Sequence, residues 1–162
     1  MRIVSLIENQ NIEKRVAVTP ETAKKYISMG FEVCLPKNYG LLLGFRDEDY
    51  KSQGVNLLEN DKDLIDKADI IVQLNLPSDE KLDLLKENQN LIGILNPYTN
   101  KEKLINLNKK RINNFSLELL PRITRAQSMD ILSSQANLAG YKAVIESFAN
   151  FEKAIPMMMT AA

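Results

Sequence analysis

Short apolar runs alternate with polar or amphipathic stretches along most of the chain. The runs at residues 2–7, 31–35, 69–74, 91–95 and 112–119 predict five strands. The third, DIIVQL, is a mostly apolar run typical of a parallel interior strand. Between the first two strands Thr19, Pro20 and Glu21 form a helix start: a capping hydroxyl, a proline at the first helical position and an acid in the first turn. That helix runs to Met29, where Gly30 stops it. Further helices are predicted over 47–53, closed by Gly54, over 61–67, over 79–87 behind Ser78, and from a cap at Thr99 or Asn100 to Lys109. A six-turn helix is predicted from Ser128 to about Asn150.

Strands alternating with helices predict an α/β, doubly wound, mostly parallel sheet of about five strands, with helices on both faces and a long helix after it. The predicted division is a domain over 1–127, then the long helix and a linker over 128–162. Ligands of such sheets gather outside the carboxyl ends of the strands. The loops expected there are 8–19, 75–78, 96–100 and 120–127. On the long helix Met129, Leu132, Ala136, Ala139 and Ala143 make a stripe, with Gly140 beside it. Core packing is the first expectation for that stripe; contact with a second domain or subunit is the sharper one.

Composition narrows the function. The 162 residues suit one domain with a real core. Lys plus Arg and Asp plus Glu are 21 each, so the formal net charge is zero, against the basic surplus of a nucleic-acid binder. No run approaches the eighteen or so apolar residues of a membrane span, and MRIVSLIEN lacks the form of a signal peptide. A soluble, cytoplasmic chain without direct membrane insertion is expected. The one cysteine, Cys34, falls in an apolar run and is expected to be a buried small hydrophobe. Glycines at 30, 40, 44, 54, 93 and 140 never cluster, so the fold is Rossmann-like without the Gly-rich pyrophosphate cradle. Histidine is absent, and no metal site is assigned.

Between the last strand and the long helix lies PRITRAQSMDILSS, residues 121–134. Two arginines, a glutamine, an aspartate and hydroxyls stand there between two elements expected to be buried. Arg122 offers a fixed fork of donors, Gln127 both donates and accepts, and ionised Asp130 only accepts. With a helix from Ser128, Gln127, Asp130, Ser133 and Ser134 share one face. Two readings stand level on chemistry alone. One is a binding loop. The other is surface charge at Arg122 and Arg125, a helix-stabilising Asp130 and capping serines.

The run RITRAQSMDILSSQANLAGYKAV, residues 122–144, resembles the loop and following helix of the proton-translocating NAD(P) transhydrogenase alpha-subunit family, whose N-terminal domain is shared with alanine dehydrogenase. AIPMMMTAA, residues 154–162, resembles the segment leading into that subunit's nucleotide domain. The likeness spans the chain and is most specific from Leu120 onward. It implies that Arg122, Gln127, Asp130 and Ser133 contact the nicotinamide and ribose of NAD. Gln127 and Asp130 would matter most to hydride transfer, with Gln127 also reaching toward an NADP-binding partner. It further implies that NAD is held mainly by a Rossmann domain outside this chain. The implied partners are a beta subunit carrying NADP, a membrane-spanning alpha part and a second copy of the chain. The complex would lie at the inner membrane, and the fragment alone is expected to be inactive.

Two alternatives remain open. An alanine-dehydrogenase-like oxidoreductase is disfavoured: the resemblance would put a lysine at Asn75 and a histidine in the loop that here reads Asn96-Pro97-Tyr98. Arg15 matches that family's substrate arginine, yet is expected to pair with an acid such as Glu8. A non-enzymatic binding or assembly module is the other alternative. Tyr98 and Asn100 are weaker candidates for lining a cleft. Met157, Met158 and Met159 are expected to fill core or form a hinge.

Overall fold

A computed structural model describes residues 1–153; the methionine trio and the 154–162 segment lie outside the described residues. Six parallel strands form one sheet: β1 (Arg2–Val4), β2 (Glu32–Pro36), β3 (Asn56–Leu58), β4 (Ile70–Asn75), β5 (Asn90–Ile94) and β6 (Asn113–Ser116). Their order is β3-β2-β1-β4-β5-β6. The helices are α1 (Pro20–Ser28), α2 (Asp47–Lys51), α3 (Asp61–Asp66), α4 (Asp79–Asp83), α5 (Lys101–Lys109) and α6 (Ile131–Ala149). The chain divides into two units, Met1–Leu119 and Leu120–Ala162.

In the first unit, alternate side chains of each strand go to opposite faces. Val4, Cys34, Ile71 and Leu91 pack with Leu64 and Ile65 of α3, Leu82 of α4 and Leu107 of α5. Val33 and Leu35 turn the other way, toward Ala23 of α1 and Tyr50 of α2. Helices therefore lie on both faces, as expected, and Cys34 is buried. The second face is thinner over β4 to β6: Val72, Ile92 and Ile94 are half-buried and Phe115 is exposed.

The α1 cap follows the sequence, whereas Ser78 and Asn100 stand at the N-caps of α4 and α5 without a side-chain cap bond. Thr19 Oγ1 accepts the Thr22 N–H at 3.2 Å, with Pro20 in the first turn of α1. Gly30 takes φ 88°, a left-handed turn that suits a residue without Cβ.

Several expectations need correction. The sheet has a sixth strand, β3, a three-residue edge held by pairing with β2 rather than by any apolar alternation of its own. Helix α4 ends at Asp83 instead of Glu87. Gln89 Oε1 takes the Lys86 N–H at 2.8 Å, and Asn88 turns left-handed at φ 68°. Strand β6 ends at Ser116 because residues 117–119 tighten into a 3-10 turn.

The long helix begins at Ile131, not Ser128, since Asp130 is its cap and residues 124–129 form a 3-10 segment. No residue of α6 is buried, so the Leu132–Ala143 stripe is not part of a core within the described residues. None of the described helices is long and apolar enough to cross a membrane.

Candidate functional site

The second unit carries the predicted loop. The chain enters it from the carboxyl end of β6, through Leu120 and Pro121. Thr124 to Met129 then wind as a 3-10 helix, in which Ala126 is buried. Asp130 sits at φ −73°, ψ 92°, extended backbone that breaks the 3-10 winding and starts α6. Its carboxylate accepts the Ser133 N–H at 2.9 Å on one oxygen and the Ser133 hydroxyl at 2.7 Å on the other. Those bonds, with the positive charge of Arg122 adding to them, hold the Asp130 carboxyl below its ordinary pKa. Asp130 is therefore an ionised acceptor that also stabilises the helix start.

Arg122, Gln127, Asp130 and Ser133 line one open cavity of about 330 Å³, together with Leu120, Pro121, Ile123, Thr124 and Ala126. The grouping arises differently from the expected helical face. Gln127 belongs to the 3-10 turn, and it lines the cavity together with Asp130 and Ser133 at the start of α6. Ser134, expected on the same face, bonds instead to the Ile131 carbonyl at 3.1 Å. The Arg122 and Gln127 side chains make no hydrogen bond among the described residues, which leaves their donors and Gln127 Oε1 available to a ligand there. Arg125 is exposed and does not line the cavity.

The other candidates lie in the first unit. Arg15 pairs with Glu13 through Nε at 2.8 Å and Nη2 at 2.6 Å, and the charge of Glu8 adds to the acidic field around it. Arg15's hydrogen bonds drive the Glu13 pKa down to about 2. Glu8 accepts the Leu74 and Asn75 N–H groups at 2.7 and 3.3 Å. Tyr98 is 89 % exposed, and Asn100 bonds the Leu95 carbonyl at 2.9 Å.

A cleft of about 460 Å³ opens beside the ends of β1 and β4, lined by Glu8, Glu13, Gln73 and Asn75 among others. Gln73 was missed by sequence reasoning, because it sits inside an apolar strand run. A polar residue in such a run was the available signal. No metal-suited group of His, Cys, Asp and Glu occurs among the described residues.

A parallel sheet in the order 3-2-1-4-5-6, with a polar loop and a long helix after its last strand, defines a Rossmann-like α/β unit. The chain belongs to the family described as alanine dehydrogenase/PNT, N-terminal domain, which matches residues 6–139.

Within that family it is similar to the first of the polypeptides that make up the NAD(P) transhydrogenase alpha subunit of Rickettsia prowazekii, at 42 % identity over all of this chain and 43 % of the relative. The same-named polypeptide of Rhodospirillum rubrum is 40 % identical over all of this chain and 44 % of its own length. A solved transhydrogenase from Sinorhizobium meliloti superposes with a TM-score of 0.87 at 39 % identity, covering 98 % of this chain and 48 % of that one. The chain thus spans less than half the length of these relatives.

Proposed function

We propose that the chain supplies the N-terminal portion of the NAD(H)-binding alpha subunit of a proton-translocating NAD(P) transhydrogenase. In that role it helps transfer hydride between NADH and NADP. The observation that carries this reading is the open cavity lined by Arg122, Gln127, Asp130 and Ser133.

NADH supplies the hydride from its nicotinamide ring. The residues of the cavity fit that ring's carboxamide and ribose. Gln127 offers one acceptor and paired donors, the complement of a carboxamide. Arg122 offers a fixed fork of donors to a carbonyl or ribose oxygen. Asp130, ionised and locked to Ser133, accepts from a ribose hydroxyl or an amide N–H. Hydride carries its electron pair with it, so no residue need give or take a proton at the reacting carbon. Orientation is then the protein's main contribution, which a histidine-free set of hydrogen-bonding side chains can provide.

This proposal places most of the NAD grip in a nucleotide-binding domain beyond the present residues. It places NADP on a beta-subunit partner and proton translocation in membrane-spanning regions of the complex. A homodimer of cytoplasmic, peripheral alpha subunits fits the same scheme. The test is hydride exchange from NADH to an NADP analogue, in the full-length subunit mixed with its NADP-binding partner. Gln127→Asn and Asp130→Asn should slow exchange by about 10- to 100-fold, as a misplaced reactant would, while NADH affinity changes far less. Asparagine still caps a helix, so unchanged exchange in both variants refutes the assigned roles.

A further inference from the structure

The first unit holds a cleft that the hydride-transfer proposal does not use, and none of residues 120–133 lines it. It lies between the carboxyl ends of β1 and β4. The strand order reverses there, and open α/β sheets place ligands in such crevices.

Its floor is organised around Gln73, which is 4 % exposed. A chain of buried hydrogen bonds fixes which way its amide points. Tyr39 Oη accepts the Ala17 and Val18 N–H groups at 3.1 and 3.2 Å. Its own hydrogen is therefore directed to Ser5 Oγ, 2.7 Å away. Burial raises the Tyr39 pKa to about 12, so that hydrogen stays in place. Ser5 Oγ donates in turn to Gln73 Oε1 at 2.9 Å, and the Leu6 N–H donates to the same oxygen at 2.7 Å. With Oε1 held by two donors, Nε2 is the remaining polar atom that Gln73 brings to the cleft lining. Its two N–H groups find no acceptor among the described residues. Donors so placed must be met by water or by an acceptor on a ligand.

The backbone is also built for this placement. The β4–β5 register shifts between Val72 and Asn75, a bulge around Gln73. Position 93 opposite is glycine, and a Cβ there would sit 2.5 Å from the Gln73 carbonyl oxygen. Bulges re-aim side chains, and this one lies at the cleft.

The charges of the cleft decide what it takes. Lys81 is paired with Asp61 at 3.1 Å and donates to the Ile7 carbonyl. Lys103 is paired with Asp79 at 2.6 Å. Glu8 and Glu13 add two carboxylates. An anion would meet these acids and only cations already engaged. Gln73 brings a donor and Glu8 an acceptor to the lining of the same cleft, and the two together ask for a neutral group with the converse pair. We propose that the cleft binds a small uncharged primary carboxamide. Its carbonyl oxygen accepts from Gln73 Nε2, and its N–H donates to the Glu8 carboxylate.

The test uses the 162-residue chain labelled with ¹⁵N and titrated separately with propionamide and propionate. Propionamide should shift the Gln73 side-chain NH₂ signals and the Asn75 backbone signal saturably, and propionate should bind at least about tenfold more weakly. Gln73→Glu keeps the acceptor for Ser5 and Leu6 but removes the donors. It should weaken propionamide binding about tenfold, the scale of one lost hydrogen bond. If that variant does not fold, the wild-type titrations decide alone. Propionate binding as well as propionamide, no saturable shift with either, unmoved Gln73 signals, or full affinity in a folded Gln73→Glu variant would each overturn the proposal.

Discussion

The two units hold their shapes by different means. Residues 1–119 bury aliphatic side chains on both faces of a sheet, and Val4, Leu35, Leu64, Ile71 and Leu91 are wholly enclosed. Among the described residues of the second unit, Ala126 is the one buried apolar side chain. There the order comes from local bonds: the Asp130 cap, the 3-10 turn and the ladder of α6. Leu132, Leu138, Tyr141, Val144, Ile145 and Phe148 of α6 are exposed. A rigid scaffold thus leads into a segment whose polar groups are arranged by backbone turns. The binding role proposed for the loop suits that division of labour.

The sharpest way to break this contrast is a matched pair of truncations. Ile71→Ala should cost about 2–5 kcal/mol, as emptying a filled core site does. Leu138→Ala on exposed α6 should change stability by less than about 0.5 kcal/mol. Urea denaturation of both variants decides it, and equal losses would end the distinction.

A smaller effect is expected at the junction of loop and helix. Asp130→Ala removes the cap and should cost about 1 kcal/mol of helix stability. Circular dichroism should show helix lost at lower temperature while the core melts unchanged.

The mildest effect concerns pH in the first unit. The Glu13 pKa lies at about 2, below its ordinary 4.5, through its bonds to Arg15. A carboxyl with a depressed folded pKa adds stability that is complete above the ordinary value and fades as pH falls toward the folded one. Acid titration of stability between about pH 5 and 2 should therefore be shallower in Glu13→Gln than in the parent chain.

Much of the scaffold was legible because burial on both faces writes itself into sequence. DIIVQL reads as an interior strand, and Thr19-Pro20-Glu21 reads as a helix start. The edge strand β3 was not legible, since its pairing with β2 depends on backbone bonds rather than side-chain pattern. The start of α6 was misplaced because Asp130 reads equally well as a first-turn acid or as a cap. The loop residues were identified by chemistry and resemblance. Their convergence on one cavity depends on a 3-10 turn that no periodicity announces. Gln73 was hidden for a related reason: its neighbours make a strand, and only the Tyr39–Ser5 chain of bonds shows which way its amide faces.

The central claim is that the cavity of the second unit orients a nicotinamide ring. A crystal structure of NADH bound to the longer subunit tests it most directly. The ring is expected against Arg122 and Gln127, with the ribose beside Asp130 and Ser133. A ring bound elsewhere, with those four side chains facing solvent, would contradict it.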